Sequence, residues 1–379
     1  MKSVISFIDY YWPGYKAGGT IRAFMNQVDY LSSDFEFFIV TRNTDYTDNK
    51  PYEEVTADQW NRISPNVNVY YVSAAGQSAG VFRKLLNERV YDVVYIHMLF
   101  GFWYSILPLL LAKMQHHSRI IIAPHGCLGK GALAIKSSRK KFFLRIMKMA
   151  GAYRGTVFHS VVAHESEDIR THIGKRVRIG EARELPRRIS EPPVRPKKTA
   201  GKLSMVTIAR ISPEKNQLYA LEILGRCTES EIRYDLIGPV YSEPYWNKCL
   251  AAIETLPSNV RVTYRGSISS EMILQELQGY DIMLLPTTGE NFGHTILESF
   301  MAGCPVVISD RTPWRNLRTA GIGMDISLDY PEQFAEAINH FAAAGNEEFL
   351  QWSERASAYA LAYIENPEML AENKNLFNT

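Results

Sequence analysis

Residues 281–310 read DIMLLPTTGENFGHTILESFMAGCPVVISD. An uncharged, branched run ends at Pro286, as a buried strand does. A polar loop with Gly289 and Gly293 follows, an otherwise apolar helix starts near His294, and PVVISD forms the next strand. Upstream, LSMVTIAR (203–210), IRYDLIG (232–238) and VRVTYRG (260–266) repeat the strand pattern, with helical stretches between them. The amino-terminal half alternates in the same way: SVISFID, FEFFIV, VNVYYV, VVYIH, RIIIAP and TVFHSVVA read as strands, and 21–31 and 81–89 as amphipathic helices. Regular alternation of this kind builds parallel sheets covered by helices on both faces. The expected class is α/β, with two Rossmann-like domains whose strand ends face each other across a cleft.

The length of 379 residues suits two such domains. The proline- and cation-rich stretch 179–202 is the expected linker. Domains are therefore expected at 1–190 and 200–359, with a helix at about 360–379 packing back on the first. A hydrophobic fraction of 46% excludes a disordered chain, and four widely separated cysteines give neither a disulfide framework nor a zinc motif. Residues 95–112 carry no charge, but His97, Gly101 and Pro108 interrupt them and a strand precedes them. The expectation there is a strand, a loop and a core helix from near Phe102, not a membrane span. The amino terminus shows no signal-peptide pattern.

Charge is divided unevenly. Residues 1–198 hold 29 Lys/Arg against 17 Asp/Glu, and the remainder 13 against 23. The first half is expected to meet something anionic. Within it, residues 126–164 hold eight Lys/Arg and no acid, with Phe142, Phe143, Ile146 and Met149 at helical spacing. The region 130–154 is expected to meet an anionic membrane surface; no motif points to nucleic acid.

Candidate chemistry gathers at strand ends. Arg210 closes a strand and Lys215 follows in Ile-Ser-Pro-Glu-Lys-Asn (211–216), a pair of cations suited to a diphosphate; Pro213 and Glu214 suit the first turn of the next helix. In the stretch quoted first, Glu290, Asn291, Phe292, Gly293 and His294 lie where a helix start offers amides to a ligand. Glu298 lies just over a turn further on, with a carboxylate suited to hydroxyls. Gly18 and Gly19 form a glycine turn after the first strand, without the spacing or the acidic residue of a dinucleotide fingerprint. His125 follows the strand RIIIA.

Taken in order, the Gly-Gly turn, His125, the Arg210/Lys215 pair and the Glu290/Glu298 pair resemble the retaining glycosyltransferases of family 4, which have the GT-B fold. IARISPEKN (208–216) and ILESFMAGCPVVISDRTPW (296–314) are similar to that family's donor-site text, and TPWRNL (312–317) resembles bacterial enzymes of surface-polysaccharide synthesis. Asn291 stands where the family usually has glycine, and its usual Asn-Gly turn near the domain junction is replaced by ARELPRRI.

The resemblance implies a metal-independent transferase without a cofactor, working in the cytoplasm or peripherally at the inner face of the plasma membrane. It would move a sugar from a nucleotide-diphosphate sugar to a lipid-linked or oligosaccharide acceptor in lipopolysaccharide, capsule or exopolysaccharide synthesis. It also implies roles. Arg210 and Lys215 hold the diphosphate, Gly18 and Gly19 give it amides, and Glu290 with residues 291–294 orients the sugar. Glu298 binds the ribose, and His125 lies near the anomeric carbon. A GT-B nucleotide-sugar epimerase and a non-catalytic sugar-nucleotide-binding subunit are the alternatives.

Overall fold

The structure is a computed structural model that describes residues 1–378 apart from 118, 130–131, 134–136, 189–193 and 229. The chain divides into two units, residues 1–185 with 367–379, and residues 186–366.

The first unit is built on eight strands: β1 (Lys2–Phe7), β2 (Phe35–Arg42), β3 (Trp60–Ser64), β4 (Val67–Val72), β5 (Val93–His97), β6 (Ile120–Ala123), β7 (Val157–Ser160) and β8 (Arg178–Glu181). Their order is β3-β4-β2-β1-β5-β6-β7-β8, parallel throughout except for the β3–β4 pair. Neighbouring residues of one strand enter opposite layers. Val4, Tyr95 and Ile121 pack under the Gly19–Leu31 helix, and Ile5, Val94 and Ile122 pack on the other face. Burial on both faces is why these strands read as unbroken apolar runs.

Two strands of this unit lie outside the sequence expectation. β3 has no buried residue, and β8 occupies the start of the presumed linker. Ala182 and Leu185 just after β8 are buried, so the stretch 179–185 is part of the first unit's fold. Residues 189–193 of the expected linker lie outside the described residues.

The second unit holds six parallel strands: β9 (Lys202–Ile208), β10 (Glu231–Ile237), β11 (Val260–Tyr264), β12 (Ile282–Leu285), β13 (Val306–Ser309) and β14 (Gly323–Ile326), ordered β11-β10-β9-β12-β13-β14. The Gln217–Leu224 helix covers one face through Ala220, Leu221 and Leu224, and the His294–Met301 helix covers the other through Ile296, Leu297, Phe300 and Met301.

The apolar run after β5 is a π-helical turn (Phe102–Ile106) leading into a helix (Leu107–Met114). Among the described residues no helix is long and apolar enough to cross a membrane. The helical stretch near the carboxyl terminus is interrupted before Pro367. Asn346–Ile364 belongs to the second unit. Pro367–Asn378 packs on the first, with the Phe377 ring 5.2 Å from Tyr95 and Asn373 accepting a 2.8 Å hydrogen bond from Gln27.

Candidate functional site

In both sheets the strand order reverses direction at one point, and ligands of open α/β sheets bind beyond the carboxyl ends of the strands there. The reversal falls between β9 and β12 in the second unit, and between β1 and β5 in the first. All of the residues singled out above follow these strands or the next one along.

In the second unit, Arg210 follows β9 by two residues. The turn that comes next does not begin the helix: Asn216 is left-handed (φ 62°, ψ 39°), so the helix starts at Gln217 and Pro213 and Glu214 stay in the turn. This corrects the expectation that both lie in the first helical turn. The Glu214 carbonyl accepts from the Thr288 amide (2.8 Å), the Thr287 hydroxyl (3.0 Å) and the Thr288 hydroxyl (3.1 Å). Asn216 donates through Nδ2 to the Pro286 carbonyl at 3.0 Å. The loops after β9 and β12 are thereby tied together.

Lys215 forms an ion pair with Glu290, their side chains only 14% and 11% exposed. Arg210 pairs with Glu214 and lies over the Tyr241 ring, 4.7 Å from its centre. Each cation thus has a carboxylate partner, and a phosphate arriving there would compete for it.

The loop beyond β13 braces the 287–293 loop. The Ser309 hydroxyl donates to the Thr287 carbonyl (2.5 Å), the Glu290 amide to the Arg311 carbonyl (3.0 Å), and the Trp314 indole to the Phe292 carbonyl (2.6 Å). Gly293 precedes the helix with φ 85°, a conformation that favours glycine, and no side chain caps that helix start. His294 opens the helix, with Asn291 half-buried before it; Glu298 is 5% exposed. Arg210, Lys215, Glu290 to His294 and Glu298 therefore stand on two adjacent, tied loops and the helix that follows them. That arrangement offers cations for phosphate and carboxylates and amides for hydroxyls.

In the first unit, Gly18 (φ 92°) precedes the Gly19–Leu31 helix. The loop leading to it is fixed by Asp45, a buried carboxylate that accepts from the amides of Tyr15 (2.9 Å), Lys16 (3.2 Å) and Tyr46 (2.7 Å). Lys16 pairs with Asp48 at 2.7 Å. His125 is left-handed (φ 51°) and shares a 2.8 Å hydrogen bond between its Nε2 and Nδ1 of His97, the two rings nearly parallel. His97 is fully buried against Phe24 of the glycine-turn helix, and burial pushes its pKa well below the imidazole range, with His125 and His159 adding to the shift. The Gly126 amide donates to Glu165 at 2.6 Å.

His97, Asp45 and Glu165 were not singled out by sequence. His97 had a signal, a histidine ending an apolar strand, whereas the bonds from Tyr15 to Asp45 and from Gly126 to Glu165 span 30 and 39 residues and leave no local pattern. Gly18, Gly19 and His125 lie in the first unit and the remaining candidates in the second. Among the described residues no group of three or more His, Cys, Asp or Glu is placed to hold a metal ion.

The family described as Glycosyl transferases group 1 matches residues 191–358. No curated protein matches the sequence. Among solved structures, a sucrose-phosphate synthase from Thermosynechococcus elongatus superposes with a TM-score of 0.76 at 13% identity, over 100% of this chain and 98% of that one. Anabaena HepE in complex with UDP-glucose gives 0.69 at 14%, over 99% and 98%. WaaG, a glycosyltransferase involved in lipopolysaccharide biosynthesis, gives 0.62 at 15%, over 100% and 99%. Residues 191–358, all within the second unit, thus match the glycosyl transferases group 1 family, and the chain as a whole has the GT-B fold.

Proposed function

We propose that the protein is a retaining glycosyltransferase that moves a sugar from a nucleotide-diphosphate sugar to a hydroxyl of a lipid-linked or oligosaccharide acceptor. The pathway is lipopolysaccharide, capsule or exopolysaccharide synthesis, at the cytoplasmic face of the membrane. The observation that carries the proposal is the convergence of Arg210, Lys215, Glu290 and Glu298 on the tied loops and helix at the β9/β12 reversal. HepE, of the same fold, is known in complex with UDP and with UDP-glucose.

In this proposal the donor's diphosphate takes Lys215 from Glu290, and the released carboxylate turns to the sugar's hydroxyls. Arg210 and Lys215 stabilise the charge that grows on the departing diphosphate, a task two fixed cations perform without a divalent metal. The amides of residues 291–294 add to the sugar's orientation and Glu298 accepts from the ribose. The acceptor hydroxyl attacks from the face the nucleotide leaves, so the configuration at the anomeric carbon is kept.

The test is to incubate the protein with nucleotide-sugars in EDTA, with and without lipid-linked acceptors, and to follow product and anomeric configuration by NMR. Transfer with retention, dependent on acceptor, supports the proposal. Conversion of donor alone, strict metal dependence or an inverted product would overturn it.

A further inference from the structure

The Ser137–Met149 helix of the first unit has two apolar faces. Leu144 and Met147 are buried in the core, and Phe143 packs half-buried against Phe100, ring centres 5.7 Å apart. Pointing away from that core, Phe142, Ile146 and Met149 are 67%, 45% and 78% exposed. At about 100° per residue these three positions fall within an arc of roughly 60°, nearly opposite Leu144 and Met147. A helix that serves only as a cover for the core needs one apolar stripe; this one has a second, facing solvent.

Cations frame the outer stripe. Arg139 and Arg145 project on its two sides, Lys141 and Lys148 lie further round, and all four are exposed. Lys140 instead turns inward, donating to the Ala132 carbonyl at 2.6 Å and lying over the Phe100 ring. The helix holds no acidic residue. Within the wider basic region 130–154, residues 130–131 and 134–136 lie outside the described residues.

We propose that this helix lies flat in the surface of an anionic phospholipid bilayer, with Phe142, Ile146 and Met149 sunk to the acyl boundary. Arg139, Arg145, Lys141 and Lys148 then reach lipid phosphates, their aliphatic stems lying along the apolar ridge. A nucleic acid would use the cations and leave the ridge idle. A second copy of the chain, joined ridge to ridge by a two-fold axis, would set the flanking arginines against their own counterparts. An anionic bilayer satisfies both features, and its binding does not depend on what the second unit takes as donor.

The full chain, without nucleotide, is sedimented with vesicles of phosphatidylglycerol or of phosphatidylcholine. Three forms are compared: wild type, F142S/I146S/M149S, and R139Q/K141Q/R145Q/K148Q. Because the substituted side chains are exposed, all three should melt alike by circular dichroism. The wild type is expected to bind phosphatidylglycerol in preference to phosphatidylcholine. The ridge variant should bind roughly tenfold or more weakly even at low salt, and the charge variant should lose the lipid preference. A wild type that stays in the supernatant, a ridge variant that binds like wild type, or a wild-type dimer that the ridge substitutions dissolve would each overturn the proposal.

Discussion

Replacing Lys215 by alanine leaves the Glu290 carboxylate in a site where only 11% of its side chain meets water. Breaking a fully buried ion pair from one side costs about 3–5 kcal/mol, because the surviving charge stays desolvated. The slight opening here lowers the expected cost to roughly 2–3 kcal/mol. For a unit of this size that lowers the melting temperature by about 5–10 °C. Glu290→Gln on the same background removes the stranded charge, so the double variant should regain most of the loss. The assay is a double-mutant cycle read by urea unfolding, followed by circular dichroism and tryptophan fluorescence. The coupling energy is expected at about 1–3 kcal/mol. A double variant no more stable than Lys215→Ala alone would mean that the two charges do not hold one another, and the competition between Glu290 and phosphate for Lys215 would have no basis.

The other predictions test separate parts of the site. Glu290→Gln should bind a bare nucleoside diphosphate as tightly as wild type or more so, since Lys215 is released to the phosphate. Calorimetry showing weaker binding would contradict the competition. His97, held neutral by burial, takes up fewer protons folded than unfolded, so wild-type stability should fall as pH drops below about 6.5. In His97→Phe the slope between pH 6.5 and 5 should be shallower by up to about 1.4 kcal/mol per pH unit, and equal slopes would show that His97 protonates freely in the fold. Asp45→Ala releases the amides of Tyr15 and Lys16. Charge-assisted bonds of this kind are each worth about 1.5–3 kcal/mol, so the loop at residues 13–19 should be cut faster in limited proteolysis. An unchanged cleavage pattern would mean that Asp45 does not anchor the loop.

Much of the fold was readable because a parallel sheet covered on both faces leaves a simple trace. Runs such as VVYIH and IMLL are buried at every position and almost wholly apolar, since alternate residues enter different layers. β3, β8 and β14 escaped notice for the opposite reason: each lies at or beside a sheet edge and carries polar residues or glycine. The placement of the second-unit candidates was also readable: Arg210 and Lys215 follow the end of β9, and Glu290 to Glu298 lie in the loop and helix that follow β12. Their ion pairs were not. Whether Lys215 meets solvent or Glu290, 75 residues away, depends on two loops being tied through the Glu214 carbonyl. The helix start at Gln217 shows the limit of local signals: Pro-Glu suits a first turn, but left-handed Asn216 places the turn outside the helix.

The basic helix shows a different limit. Phe142, Phe143, Ile146 and Met149 share a helical rhythm in sequence, yet Phe143 turns toward the core with Leu144 and Met147 while the other three face outward. Periodicity alone could not separate two apolar stripes on one helix.

The most direct measurement is calorimetric titration of UDP, GDP and ADP into the wild type and Lys215→Ala, both shown to be folded, with EDTA present. A nucleoside diphosphate bound by the charges of Arg210 and Lys215 should bind wild type without metal, and roughly tenfold or more weakly when Lys215 is removed. If no nucleotide binds, or if the variant binds as tightly as wild type, the loops after β9 and β12 do not form the diphosphate site.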